Sequence, residues 1–247
     1  MSSFDKYERK GAYHWDATLA AGRFEYNPRL AARYTVALRL LEEHVDLSAS
    51  QGVDIGCGDG VLLEYLRKRG ASTVGIDFEK ECLNLYGKYS YDPCPVVQGD
   101  VYNLPLSNRC FDFVTMLDVI EHFSEPERAL QQARSLLKRG GVLVLTTPFG
   151  PDEDGSYHDE EHHEEEYRPE GLQSLLSSVF DTVEVNGYIP SWIDSLYKDD
   201  WTVRPVMKGI RGLFKAISYH GFNPYVEFGV GSPETHHDQL VGVAVRD

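Results

Sequence analysis

Eight consecutive residues, Val53-Asp54-Ile55-Gly56-Cys57-Gly58-Asp59-Gly60, constrain this chain more than any other stretch. An apolar run ends in an acid, passes through three alternating glycines and enters a segment of helical periodicity, which reads as a strand turning sharply into a helix. Glycine permits such a turn and removes the Cβ that would collide with a ligand lying against the backbone. A dinucleotide fingerprint needs its third glycine three positions after the second, so that the helix N-terminus meets a pyrophosphate. That position here is Val61. The spacing therefore favours a nucleotide-like ligand over a dinucleotide, and an ordinary tight turn is the alternative.

The pattern around this run alternates strand and helix. An amphipathic helix is predicted over 28–45, with Leu30, Tyr34, Leu38 and Leu41 on one face. Strands follow at 51–55, 73–77, 95–98, 111–117 and 142–147, separated by helices at 60–69, 79–88 and 125–138. Ser124 and Glu127 predict a capping box for the last of these, with Pro126 in its first turn and Gly140-Gly141 after its end. Beyond Pro148 come an acidic, histidine-bearing loop at 151–166, a helix from Pro169 to about Ser178, and two apolar strands near 181–186 and 240–245 expected to pair. Alternation of this kind implies right-handed crossovers and a parallel sheet that binds ligands beyond the strands' carboxyl ends.

At 247 residues the chain suits one domain. The expected partition is an N-terminal cap and helix at 1–49, a binding core at 50–148, a loop, helix and strand at 149–185, a lid or substrate insert at 186–237 and a last strand at 238–247. Cys57, Cys82, Cys94 and Cys110 lack metal-ligand spacing and read as free thiols of a reducing compartment. The start has no basic leader, and no run of eighteen apolar residues occurs, so a soluble, cytoplasmic protein is expected. A net charge of −15 opposes a nucleic-acid substrate.

The glycines at 56, 58 and 60, followed in order by Asp77-Phe78, Gly99-Asp100-Val101, Cys110 to Leu117 with the preceding Leu104-Pro105-Leu106 turn, and Leu137 to Leu143, resemble the motifs of the class I S-adenosylmethionine (SAM)-dependent methyltransferases, in their small-molecule branch. The resemblance spans about residues 50 to 148. It implies a Rossmann-like, seven-stranded mixed sheet with helices on both faces and an insert before the last strand, and SAM as cofactor. It also implies a cofactor site built from Asp54, Gly56, Cys57, Gly58, Gly60, Asp77, Phe78, Asp100, Val101, Leu117 and Asp118. Asp77 would accept the ribose hydroxyls, Asp100 the adenine amino group, and Val101 would lie beside the ring; Phe78 would pack on the ring or in the core.

Methyl transfer from a sulfonium needs alignment, water exclusion and a base for the acceptor proton. His122 is the candidate base, beside Glu121, and a histidine hydrogen-bonded under its loop is the competing reading. Asp118, Glu121 and His122 also resemble the acid-x-x-Glu-His group with which the ubiquinone-pathway O-methyltransferases and small-RNA 2′-O-methyltransferases hold a divalent ion. Asp stands here where those families have Glu. His158, His162 and His163 would complete such a site; a solvated loop without metal is the principal reading, and a non-catalytic SAM-binding module is the alternative from another class. Tyr13 and His14 belong to an aromatic N-terminal stretch that would close the pocket or staple to the sheet. In the insert, Arg204, Lys208, Arg211 and Lys215 recur at helical spacing, which fits a solvated lid face or weak membrane-surface contact. Trp192, Tyr197, Trp201 and Tyr225 would line an acceptor pocket or pack the insert. A small-molecule acceptor and a monomer or homodimer complete the expectation.

Overall fold

The central strands bury both faces, so their side chains must alternate between two apolar layers. In the computed structural model, which describes residues 6–22, 25–150, 163–190, 204–227, 231 and 237–247, they do so with period two. Phe113 and Leu117 join one core with Val142 and Val144, while Val114 and Met116 join the other with Leu143 and Leu145.

The strands are β1 (Gln51–Ile55), β2 (Ser72–Asp77), β3 (Val96–Gln98), β4 (Phe111–Leu117), β5 (Leu137–Pro148), β6 (Thr182–Pro190) and β7 (His237–Val245). They form one sheet in the order β3-β2-β1-β4-β5-β7-β6. The first five are parallel, and β7 runs antiparallel between β5 and β6. Chain order reverses between β1 and β4, the crevice where such sheets bind ligands. Gly52 sits opposite Phe113 in the β1–β4 register, and a Cβ on it would meet the Phe113 ring at 2.1 Å. That glycine is a packing requirement of the sheet centre.

Helices α1 (Lys6–Lys10), α2 (Tyr13–Ala17) and α3 (Pro28–His44) precede β1, and α4 (Val61–Lys68) and α5 (Lys80–Tyr89) lie on either side of β2 in sequence. Their buried residues build the first core. On the other face, α6 (Pro126–Leu136) and α7 (Pro169–Ser177) supply Leu130, Leu136, Leu172 and Leu176 to the second. α3 starts cleanly because Asn27 accepts the Leu30 N–H at 3.1 Å and Pro28 fills the first turn. The insert between β6 and β7 contains α8 (Arg204–Tyr219) and α9 (Pro224–Glu227). Tyr225 is 1 % exposed and packs in the first core, so the core takes it rather than an acceptor pocket.

Two expectations about α6 are corrected. Its N-cap is Glu125, without a side-chain cap bond, and the Ser124/Glu127 box does not form. Pro126 at the first helical position sets the start one residue later, and the Tyr102 hydroxyl accepts the Glu125 N–H at 3.0 Å. At the other end the helix stops at Leu136, four residues before Gly140. Leu137, fully buried, pairs with Phe111 and pulls the chain into the sheet early. Gly140 instead serves the strand edge, with φ +76° and its N–H donated to the Arg246 carbonyl.

The expected strands at 181–186 and 240–245 do pair but run longer, as β6 and β7. No helix of the described residues is long and apolar enough to cross a membrane. His158, His162, Trp192, Tyr197 and Trp201 lie outside the described residues, as do the side chains of Arg204, Lys208 and Arg211.

Candidate functional site

The loop after β1 takes left-handed backbone three times, at Gly56 (φ +73°), Gly58 (+53°) and Gly60 (+77°). It folds back over the end of β2, where the Ile76 carbonyl accepts both the Gly56 and Cys57 N–H groups, at 2.7 and 3.0 Å. The bareness of these glycines is used by the chain itself. A Cβ at Gly56 would meet Val119 at 2.3 Å, one at Gly58 the Tyr7 hydroxyl at 2.1 Å, and one at Gly60 the Tyr86 ring at 2.3 Å. The sequence argument had reserved that space for a ligand. Side chains from the N-terminal helix, α5 and the turn after β4 occupy it instead.

Asp59, 1 % exposed, anchors the N-terminal segment to this loop. Its carboxylate accepts the His14 and Trp15 N–H groups and lies 3.0 Å from His14 Nδ1, while its carbonyl accepts the Trp15 indole N–H. Tyr13 lies against His14 with ring centroids 3.9 Å apart, and Tyr34 of α3 meets His14 edge-on. Tyr7, also buried, sits 3.4 Å from His14 Nδ1. Cys57 is buried beneath the loop, where burial pushes its thiol well up.

Asp77 ends β2 with Oδ2 accepting the Gly58 N–H at 2.8 Å and Oδ1 accepting the Glu79 N–H at 2.9 Å. Burial raises its pKa, and those backbone N–H groups oppose the rise. The Cys82 thiol and the Phe78 N–H also act on this carboxylate, which is thus fixed in place at the strand end. Phe78 is 75 % exposed, which removes the core role for its ring. The next strand end is joined to this one by the bond from Gly99 N–H to the Asp77 carbonyl, 3.0 Å. There Asp100 is exposed and accepts the Tyr102 N–H, with Val101 8 % exposed beside it. An adenosyl group fits this edge: a strand-end acid, an open aromatic face and a second, exposed acid follow one another across adjacent strand ends.

Asp54 differs from these. It is 2 % exposed, accepts from the Thr115 hydroxyl at 2.8 Å, and lies within the sheet below the loop. Burial pushes its carboxyl up to about 7, against the Thr115 hydrogen bond and with a contribution from the Asp77 charge.

Beyond β4, Leu117 is buried and Asp118 takes a left-handed backbone, φ +52°. The Asp118 carboxylate is bound on both oxygens, by the Thr146 hydroxyl at 2.6 Å and by Arg33 at 2.7 Å. Arg33 reaches in from α3 and stacks 5.5 Å from the Tyr34 ring; the Asp118 charge raises its pKa against the effect of burial. Glu121, 1 % exposed, accepts from Thr147 at 3.1 Å, and its carbonyl accepts the Glu164 and Glu165 N–H groups. Burial holds its carboxyl well above the usual range, with Asp118 adding and Arg33 opposing.

That backbone clamp brings His163 to Glu121. One ligand atom each from Glu121, His122 and His163 lies within 4.8 Å of the others, and the two imidazoles are 5.1 Å apart. Glu166 lies 3.0 Å from His163 Nδ1. A carboxylate partner on Nδ1 is the arrangement that orients metal-binding histidines. Asp118 is not in this group, because Arg33 and Thr146 hold it. Arg33, Thr115 and Thr147 were missed by sequence reasoning, whereas Tyr7 and Glu166 fall in the aromatic N-terminal stretch and the acidic loop that it singled out.

Sheet order, the glycine turn at the chain reversal and the acids on the next two strand ends define a class I SAM-dependent methyltransferase fold. The comparisons agree: residues 53–145 match the methyltransferase domain family. It is 27 % identical over 150 residues to a ubiquinone biosynthesis O-methyltransferase of Chromobacterium violaceum, covering 58 % of this chain and 61 % of the relative. A Marinobacter nauticus protein of the same description is 30 % identical over 148 residues, covering 58 % and 60 %. The chain thus spans about half to three fifths of the curated relatives it matches. Among solved structures it resembles a Thermotoga maritima SAM-dependent methyltransferase described as a possible histamine N-methyltransferase, at TM-score 0.61 and 19 % identity over 98 % and 96 % of the two chains. It also resembles Haemonchus contortus phosphoethanolamine N-methyltransferase 2 in complex with SAM, at TM-score 0.59 and 15 % identity over 100 % and 60 %.

Proposed function

We propose that this protein transfers the methyl group of SAM to an oxygen of a small organic acceptor. The observation that carries the reading is Asp77: it fixes the Gly58 backbone of the loop from the end of β2, beside the open ring of Phe78, where a carboxylate would meet the ribose hydroxyls. The backbone of the 56–60 loop, rather than the filled space at its Cα atoms, would border the cofactor site, with Phe78 and Val101 against the adenine, Asp100 at its amino group and Leu117 and Asp118 at the turn. When bound, SAM supplies a methyl group already activated by its sulfonium charge. The chain then has to orient the acceptor, exclude water and take a proton, and orientation alone is worth about 7–11 kcal/mol of barrier. The N-terminal residues 7–15, tied to Asp59, support the exclusion of water. His122 would receive the acceptor proton on a ring nitrogen, with Glu121 behind it. The names of the matched relatives support oxygen as the acceptor atom.

One observation favours a second reading of the same centre. Glu121, His122 and His163, with Glu166 orienting the last, would hold a divalent cation, which would polarise an acceptor oxygen there. Asp77→Ala tests the first reading. Loss of charged hydrogen bonds worth about 1.5–3 kcal/mol each predicts SAM binding weakened tenfold or more in calorimetry. Transfer of label from SAM to an acceptor fraction of a cell extract should fall in parallel. Unchanged SAM affinity would defeat the cofactor placement, and SAM binding without any labelled acceptor would favour a regulatory module.

A further inference from the structure

At the sheet edge opposite the glycine loop, three arginines surround a cavity of about 350 Å³, within the range of small-ligand pockets. Arg109 precedes β4, Arg134 lies in the last turn of α6, and Arg246 follows β7. Asn108, Ser135 and Ser178 complete the polar wall. β4 separates this cavity from the loop edge by roughly 20 Å at ~3.3 Å per residue.

Three guanidinium groups converge here although the chain carries a net charge of −15. Among the described residues, one carboxylate answers them: Asp181, 3.9 Å from Arg134 and itself largely exposed. Arg134 Nε is buried with no partner, which is costly for a charged group. Arg246 donates through Nη1 alone, to the Arg134, Ser135 and Leu137 carbonyls at 2.8, 3.3 and 2.6 Å. Its other guanidinium nitrogens have no protein acceptor among the described residues. The carbonyls at the end of α6 thus hold Arg246 in place rather than neutralise it. Burial and the charges of Arg109 and Arg134 all lower its pKa, the direction expected when like charges are forced together.

Arg109 adds an independent sign. Its φ is +59°, a conformation unfavourable for a residue with a long side chain, and the turn is held there by its N–H to the Ser135 carbonyl, 2.9 Å. Glycine or asparagine would occupy that position without strain, and arginine stands there instead. Its guanidinium makes no ion pair among the described residues.

We propose that Arg109, Arg134 and Arg246 form a second ligand site, for a phosphate-type anion, free or carried on a small molecule, bound independently of the cofactor edge. Guanidinium forks match phosphate oxygens in pairs, and an incoming phosphate would relieve the repulsion among the three cations.

The test is calorimetry on the full chain at fixed ionic strength, with inorganic pyrophosphate and uridine diphosphate as probes. Saturable binding at about 1 mM or tighter is expected, weakened tenfold or more in Arg109→Gly. That variant removes the guanidinium while relieving the backbone, so it should fold at least as well, and its SAM affinity should be unchanged. Arg134→Gln should weaken binding to a similar extent. Tighter binding of uridine diphosphate than of pyrophosphate would identify a carried phosphate, and equal binding a site that reads phosphate alone. Absence of saturation, equal competition by sulfate or chloride, or undiminished binding in Arg109→Gly would overturn the site.

Discussion

Replacing Gly58 with alanine tests whether Tyr7 truly rests on the glycine loop. The new methyl carbon would stand 2.1 Å from the Tyr7 hydroxyl oxygen and 3.2 Å from its Cζ, and the φ of +53° adds a left-handed cost of about 1–2 kcal/mol for a residue with a Cβ. Tyr7 is 7 % exposed, so the first contact is relieved only by driving the ring from its seat, which forfeits about 1.5–3 kcal/mol of aromatic burial. Gly58→Ala should therefore destabilise by roughly 3–5 kcal/mol in urea unfolding. Tyr7→Phe removes only the hydroxyl, whose 3.4 Å contact with His14 is weak, and should cost under about 1 kcal/mol. In the double variant the nearest ring atom is the 3.2 Å carbon, which a shift of a few tenths of an ångström accommodates. The pair should then recover about 1.5–3 kcal/mol relative to additivity, a coupling well above the roughly 0.5 kcal/mol scatter of independent sites. Additive effects would refute the placement of Tyr7 over Gly58.

Asp54 should impose a pH dependence of known sign. Its native pKa of about 7 exceeds the roughly 4 of an unfolded aspartate, so between those values the native state holds a proton that the unfolded chain has released. Stability from this group is highest below about pH 4 and falls as pH rises to about 7, by at most ~4 kcal/mol. Asp54→Asn should flatten that decline in urea titrations at successive pH values; parallel curves for the two proteins would contradict it. At the metal candidate, equilibrium dialysis with Mn²⁺ or Zn²⁺ should give binding that His163→Ala abolishes and Glu166→Gln weakens about 10–100-fold, the usual effect of losing a histidine's orienting partner. Methyl transfer that survives exhaustive chelation would rule out a catalytic cation.

The sheet was legible because its strands announce themselves twice, by apolar runs and by acids or glycines at their ends. Phe111 to Leu117 reads as a strand from pattern alone, and its buried side chains alternate between the two cores as the pleat demands. The boundaries failed where a tertiary contact overrode local chemistry. Ser124 and Glu127 have the spacing of a capping box, yet Pro126 and the Tyr102 hydroxyl move the start. Gly140-Gly141 resembles a helix stop, yet pairing of Leu137 with Phe111 ends the helix first. At the site, the glycines and strand-end acids stand within fifty residues of one another in a recognisable order. Arg33 on Asp118, and Tyr7 on Gly58, join segments 85 and 51 residues apart in sequence. Neither periodicity nor spacing encodes such a meeting.

Tyr7 and the contacts to Asp59 have a kinetic consequence. On the side that Tyr7 covers, a molecule lying along the Gly58 backbone would have to displace that ring on entering and again on leaving. Trimming residues 6–17 should then quicken arrival and departure together in stopped-flow binding of SAM, and unchanged rates would contradict it.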